Sequence, residues 1–227
     1  LPAAFYNGMI APMTPYSIKG VIWYQGESDS EPAAAPIYAK SFSMMIGDWR
    51  NHWREGNFPF LFVQISSFNW KGEEWGIVRD QQRQSLAVSN TAMAVSLDVG
   101  KPDNIHPPDK QTVGARLALA ARGLVYGEAV EYTGPLFRQA TRDGSGMRVW
   151  FNHAAGLKSK DGDLVGFEIA GKDKQFVPAT AVIDGASVLV TNGTVKDPYY
   201  VRYAWQNMTK ANLYNGAGLP ASTFTSE

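Results

Sequence analysis

Two short blocks carry the side chains best suited to hydrolytic chemistry. In Trp23-Tyr24-Gln25-Gly26-Glu27-Ser28-Asp29 an apolar run ends in a polar, glycine-bearing turn, and in Asp103-Asn104-Ile105-His106-Pro107 an acid stands three residues before a histidine. A carboxylate at that spacing on a tight loop can hold the imidazole in one tautomer and stabilise its protonated form. His106 is therefore expected to act as general base toward a hydroxyl nucleophile and as general acid toward a leaving alcohol, with Asp103 orienting it. A glycine N–H of the first block and the Gln25 amide are donors suited to a tetrahedral oxyanion. Glu27 reads either as an anchor for the N–H groups of its own turn or as an acid/base partner of Asp103, as in glycosidases. No convincing nucleophile accompanies them. Ser28 and Ser30 sit in the turn itself, where capping the turn or the next helix is the expected duty.

The surrounding elements decide whether the two blocks meet. Gly20 to Tyr24, Phe60 to Ile65 and Met93 to Val99 are short runs rich in β-branched, aromatic and aliphatic residues, hence buried strands. Between them the apolar spacing of Tyr38, Phe42, Met45, Trp49 and Trp53 predicts a helix from about Pro36 that Gly56-Asn57 stops. A second helix is expected over Glu74 to Val88. A third, marked by Val113, Leu117, Ala120, Ala121 and Leu124, closes at Tyr126-Gly127. Strand-helix alternation predicts a parallel sheet with helices on both faces. In such a sheet functional groups gather at the carboxyl ends of strands, so Gln25, Gly26 and Glu27 after the first strand and Asp103 and His106 after the third should share one edge.

After about Ala129 the texture changes to short strands, Arg148–Phe151, Val165–Ile169, Val182-Ile183, Val188–Val190 and Tyr199–Tyr203, between turns such as Asp143-Gly144-Ser145-Gly146, Asp184-Gly185 and Asn192-Gly193. An antiparallel, sandwich-like β region is expected, packed closely on the first part. The organisation is thus residues 1–128 for the α/β part and 129–227 for the β-rich part.

Composition removes several classes. The 21 basic and 21 acidic residues balance with no basic run, so nothing points to nucleic acid or an anionic membrane surface. With 0 cysteines there is neither disulfide nor thiol chemistry, and with 3 scattered histidines no metal site is expected. No run is long enough to span a membrane, and Leu1 to Tyr6 has no basic or apolar region of a signal peptide. His52 is assigned to a helix surface and His153 to a loop. Trp70 and Trp75 flank the loop after the second strand and are the candidate sugar-stacking rings, with Arg79 and Gln82 on the following helix as structural partners or substrate contacts.

At this point the chain resembles the C-terminal portion of the sialate O-acetylesterase-like family of SGNH (GDSL-type) carbohydrate esterases. The similarity runs through Tyr6–Pro12, Trp23–Ser28, Asp48-Trp49-Arg50, Val78–Gln82, Ile105-His106-Pro107, Lys110–Leu117, Val201–Trp205 and Asn212–Asn215 with Gly218–Ala221. It implies a three-layer α/β/α, flavodoxin-like fold, incomplete in this chain, with an accessory β region. It further implies hydrolysis of acetyl esters on sugars such as sialic acid, xylan or xyloglucan, without cofactor, in a periplasmic or secreted setting. By the family pattern Gln25 and its turn supply the oxyanion side, His106 is the base and Asp103 its orienter. The family's Gly-Gln-Ser-Asn-Met nucleophile block occurs nowhere here. The expected partner is accordingly an N-terminal fragment of the same precursor that brings the serine. Two other readings stay open, a glycoside hydrolase using Glu27 and Asp103, and a non-catalytic carbohydrate-binding module.

Overall fold

In the computed structural model, which describes residues 3–70, 72 and 74–227, the first half alternates strand and helix as the periodicity predicts. Leu1 and Pro2 of the N-terminal reading lie outside the described residues. Strands β1 (Val21–Trp23), β2 (Phe60–Gln64) and β3 (Thr91–Val95) form a parallel sheet in that order, Val21 opposite Phe60 and Phe60 opposite Thr91. Helix α1 (Tyr38–Trp53) joins the first pair, α2 (Trp75–Gln84) the second, and α3 (Lys110–Ala120) follows β3. Side chains of a strand alternate between faces. Phe60 and Phe62 meet Phe42 of α1 edge-on, at 6.5 and 5.2 Å between centroids. Leu61 packs the other way, with Ala92 and with Ala120 of α3. Both faces of β2 are therefore covered, and all five of its residues are buried.

Two boundaries differ from expectation for stated reasons. Helix α1 ends at Arg54, which takes a left-handed φ of 57° and returns its N–H to Arg50 O, ahead of Gly56. Strand β3 stops at Val95, because Ser96 Oγ donates to Gln64 O at 2.6 Å where the ladder would continue. Leu97–Val99 then forms a 3₁₀ turn, not the end of a strand.

The second half comprises β4 (Leu136–Asp143), β5 (Gly146–Asn152), β6 (Lys158–Ser159), β7 (Phe167–Ala170), β8 (Val177–Pro178), β9 (Thr180–Asp184), β10 (Ser187–Thr191), β11 (Tyr200–Tyr203), β12 (Leu213–Tyr214) and β13 (Phe224–Thr225). They form antiparallel sheets ordered β4-β5-β10-β9 and β13-β11-β7-β8, with β12 paired to β6. Val149, Phe151, Val188 and Val190 of one sheet bury against Phe167, Ile169, Val201 and Phe224 of the other. The tight turns β4–β5 and β9–β10 carry Gly144 and Gly185 at φ 57° and 59°, conformations that suit glycine.

One apolar core runs through both halves, from Phe60, Phe62 and Val78 to Tyr203 and Phe224. Arg79 of α2 fastens them: fully buried, it donates to Ala204 O, Gln206 O and Asn207 O, the carbonyls leaving β11. Burial lowers its pKa to about 9, which leaves it cationic at neutral pH. Gly76, one turn earlier, lies so close to Trp205 that a Cβ there would stand 2.4 Å from Trp205 O. The outer edge of β1 is different. Among the described residues only β2 pairs with it, and Ile22 is 71 % exposed.

Candidate active site

The turn after β1 is held by groups from three elements. Tyr38 Oη of α1 donates to Gln25 O at 3.0 Å, and Gln82 Nε2 of α2 donates to the same carbonyl at 3.1 Å. Burial pushes the Tyr38 hydroxyl up to about 12, so it remains a donor throughout the working range. Gln82 Oε1 in turn accepts Ile65 N–H at 2.9 Å, which locks the exits of β1 and β2 together. Gly26 has φ 151°, and a Cβ on it would stand 2.7 Å from Gln82 Nε2. Glycine is thus required here twice, by backbone and by space.

This backbone reversal separates neighbours in sequence. Gln25 Nε2 donates to Asp29 Oδ2 and its side chain lines a recess of about 200 Å³ with Trp23, Tyr38 and Phe42. Glu27 lines a different cleft, of about 260 Å³, with Ser28, Ser30, Trp70, Trp75 and Ile105. The oxyanion donor expected of the Gln25 amide is therefore spent in part on Asp29. Ser30 Oγ donates to Glu27 O at 2.6 Å.

The second block reaches the same edge. Gly100 lies against Ser67 beyond β2, where an added Cβ would meet Ser67 O at 2.0 Å. A bridge between Lys101 and Asn104 closes the loop, Asn104 Oδ1 accepts His106 N–H at 2.9 Å, and Asp109 caps α3 by accepting from Thr112 N and Oγ1. Asp103 and His106 are both exposed, and among the described residues no hydrogen bond or ion pair joins them. Glu27 lies near enough for the His106 charge to act on its carboxyl. Burial raises the Glu27 pKa, opposed by its own N–H, by His106, by Lys110 and by the Gly26 N–H. Lys110 also stands 5.3 Å from the centroid of Tyr24, whose hydroxyl is pushed up by burial beside Ser66 and Ser96.

Three expected substrate contacts separate. Trp70 is 51 % exposed, stacks on Phe68 at 5.6 Å and lines the cleft. Trp75 is 2 % exposed, with Nε1 bonded to Ser66 O at 2.7 Å; it borders the cleft as part of the core. Arg79 does not reach the cleft at all, because its guanidinium is buried on the three carbonyls beyond β11. His52 bonds Asp48 O on the helix surface, and His153 pairs with Glu131 at 2.8 Å in the β half.

An ion pair that the sequence does not announce lies at the base of the His106 loop. Arg116 of α3 holds Asp98 through both carboxylate oxygens, at 2.6 and 2.7 Å, and Tyr214 Oη of β12 donates to Asp98 at 3.0 Å. Burial works against the Asp98 charge, but Arg116 and Tyr214 outweigh it and lower its pKa. The Asp98–Arg116 spacing across a loop has no local signature. Among the described residues no group of three or more acidic or histidine side chains could hold a metal ion. No described helix is long and apolar enough to cross a membrane.

A parallel α/β sheet with a histidine, a half-buried carboxyl and a glycine turn converging at its carboxyl edge is an arrangement found in hydrolases. The family profile described as carbohydrate esterase, sialic acid-specific acetylesterase matches residues 3–122, and the chain belongs to that family. It is 31 % identical over 229 residues to the sialate O-acetylesterase of Mus musculus, covering 89 % of this chain and 42 % of that protein. With the Homo sapiens sialate O-acetylesterase it shares 37 % over 155 residues, 59 % of this chain and 29 % of the relative. The solved structure of a carbohydrate acetylesterase from Xanthomonas citri superposes with a TM-score of 0.96 at 41 % identity, over 100 % of this chain and 54 % of that one. The chain thus spans about half the length of the relatives it matches.

Proposed function

We propose that this chain supplies the base and oxyanion side of an esterase that removes O-acetyl groups from sugars. The observation that carries the reading is the convergence of the His106 loop with the Glu27 turn at one sheet edge, beside the half-exposed ring of Trp70. Seen from the sugar, Trp70 offers an apolar face for a pyranose ring and the edge offers a proton acceptor. A serine hydroxyl attacks the acetyl carbonyl while His106 takes its proton. N–H groups of the Gln25–Glu27 turn receive the oxyanion, while the Gln25 side chain, held on Asp29, braces the turn from the other side. Collapse breaks the ester C–O bond, His106 returns the proton to the sugar oxygen, and an acetyl-enzyme remains. Water, deprotonated by His106, then releases acetate and restores the serine. Asp103 orients the imidazole by swinging to it once substrate covers the loop, and Glu27 steadies the turn.

In this reading the serine comes from an N-terminal segment of the same precursor, which also completes a three-layer SGNH sheet beside β1. The unpaired edge of β1 and the exposed Phe5, Met9, Ile22 and Met44 on this half support that view, as does the 54 % span of the Xanthomonas citri protein. Residues 1–128 then belong to the catalytic domain and 129–227 to the accessory β region. Substrates are acetylated sialic acid or an acetylated plant polysaccharide such as xylan or xyloglucan, met in the periplasm or outside the cell.

The test is acetate release from p-nitrophenyl acetate and acetylated xylan by this chain together with its nucleophile-bearing segment. His106→Ala should lower kcat/KM by about 10²–10⁴-fold at unchanged melting temperature. Undiminished turnover in that variant would sink the proposal, and activity on a nitrophenyl glycoside instead of the acetate would replace it with a glycoside hydrolase.

A further inference from the structure

A groove of about 1040 Å³ lies across the β half, larger than either the cleft at Glu27 or the recess at Gln25. Its walls come from both sheets. β4 and β5 contribute Ala140, Arg142 and Met147, and the β7–β8 turn and the chain before β11 contribute the opposite side. The floor is apolar, from Met147, Val177 and Val195. At its rim Tyr199 is 51 % exposed, fixed by the buried Pro198 before it and by Tyr200, edge-on at 4.7 Å.

The polar groups of this groove are mixed in sign and side by side. Arg142 and Asp197 pair at 2.7 Å with side chains 55 % and 85 % exposed, a geometry that contributes little to stability and leaves both groups open to a ligand. Lys196 Nζ donates to Gly193 O at 3.0 Å and Asp173 Oδ1 accepts Gln175 N–H at 3.2 Å, so each spends part of its hydrogen bonding on its own loop, and both signs of charge line the groove. Lys172 stands 5.3 Å from the Tyr199 centroid. An anion site would gather cations without acids beside them. A polypeptide anchor would need a deeper apolar pocket. Adjacent donor and acceptor next to an aromatic face instead match vicinal hydroxyls on a pyranose ring, the guanidinium donating to one oxygen and the carboxylate accepting from its neighbour.

We propose that this groove is a glycan-binding site for a run of uncharged pyranose rings, stacked on Tyr199 and held by the Arg142–Asp197 pair. It rests on the reading of the protein as carbohydrate-directed and goes beyond it by placing a second, non-catalytic sugar site in the β half. Such a site would keep a polymeric substrate close while the catalytic edge works along it, by raising effective concentration.

The test is electrophoresis of the whole protein through native gels containing xyloglucan, arabinoxylan or the acidic polysaccharide colominic acid. Retardation in at least one of the uncharged polysaccharides is expected. Tyr199→Ala should weaken it about tenfold and Asp197→Asn severalfold, each variant keeping the wild-type melting temperature. His106→Ala should leave binding unchanged, which separates this site from the catalytic reading. Binding without any acetate release would overturn the esterase and spare the groove. Migration unaltered by every uncharged polysaccharide, retardation by colominic acid alone, or binding that survives Tyr199→Ala would overturn the groove.

Discussion

The two halves of this molecule finish their cores in different ways. In the β half, β4–β5 and β9–β10 are hairpins whose partners lie a two-residue turn away, and their sheets close on each other over Val149, Val188, Ile169 and Phe224. In the α/β half each parallel pairing needs a helical crossover. Among the described residues the sheet there has three strands, and the outer edge of β1 has no strand paired to it, with Ile22 71 % exposed. The contrast also runs through the large exposed apolar side chains: Phe5, Met9, Met13, Tyr16, Ile37 and Met44 lie in the α/β half, whereas Val165, Val182 and Tyr199 are scattered in the other. A hairpin sheet is satisfied by local partners, whereas a parallel sheet takes its stability and its catalytic edge from elements brought together over distance.

The largest expected effect tests whether the halves are one cooperative body. Arg79→Ala would take the guanidinium from Ala204 O, Gln206 O and Asn207 O; Thr223 Oγ1 still donates to Ala204 O and Phe68 N–H to Asn207 O, so only Gln206 O loses the donor described for it. The lost charge-assisted bonds and the cavity left at a fully buried position together make a loss of about 3–5 kcal/mol the expected outcome. Urea unfolding followed by tryptophan fluorescence and by far-ultraviolet dichroism should show both probes shifting together. Two separated transitions would mean that the halves unfold independently and that the shared core counts for little.

The same contrast explains what was legible in the sequence. Helix α1 and strand β2 were readable because their apolar spacing is local and unambiguous. The carboxyl-edge placement of Gln25 and His106 followed from strand order alone. β4 was missed, because Leu-Phe-Arg-Gln-Ala-Thr-Arg-Asp lies at a sheet edge, with Arg138, Gln139 and Arg142 turned to water. β13 was missed because two residues carry no period, and Phe224 declares itself only by packing on Phe137 at 4.4 Å. Trp75 and Arg79 show the limit most plainly. Position offers Trp75 as a stacking ring and Arg79 as a structural partner or a substrate contact; in the fold Ser66 O claims the indole N–H and a segment more than a hundred residues away claims the guanidinium.

The next prediction concerns which carboxylate serves His106. Asp103→Asn should lower kcat by about 10²-fold, roughly 2.7 kcal/mol of barrier, with KM nearly unchanged. Glu27→Gln should cost less and act through the turn. Steady-state kinetics on an acetyl ester decides between them. A larger loss for Glu27→Gln would transfer the orienting role to the half-buried acid that already feels His106.

Gly26→Ala comes third. It places a methyl 2.7 Å from Gln82 Nε2 at a φ of 151°, and should cost about 1–3 kcal/mol in thermal stability together with activity. A fully active, equally stable variant would mean that the turn is not held between Gln82 and Tyr38 as described.

The smallest effect falls where the two halves meet at the base of the His106 loop. Tyr214→Phe removes one hydrogen bond to Asp98 and should cost about 1 kcal/mol at neutral pH. Its pH dependence carries more information than its size. Asp98 has a folded pKa held below the ordinary carboxylate value, because Arg116 and the Tyr214 hydroxyl outweigh burial. A depressed carboxylate contributes stability that is present above its unfolded pKa and is lost as pH falls through the folded one. The gap between wild type and Tyr214→Phe should therefore be widest near neutrality and narrow in acid, once Asp98 is protonated. Tyr214 itself does not blur the comparison on the alkaline side, since burial and the Asp98 charge push its hydroxyl up. Denaturant melts across the acid range measure the gap directly. A difference that stays constant into acid would mean that the hydroxyl matters by packing alone, and that the β half touches the His106 loop without sensing the Asp98 charge.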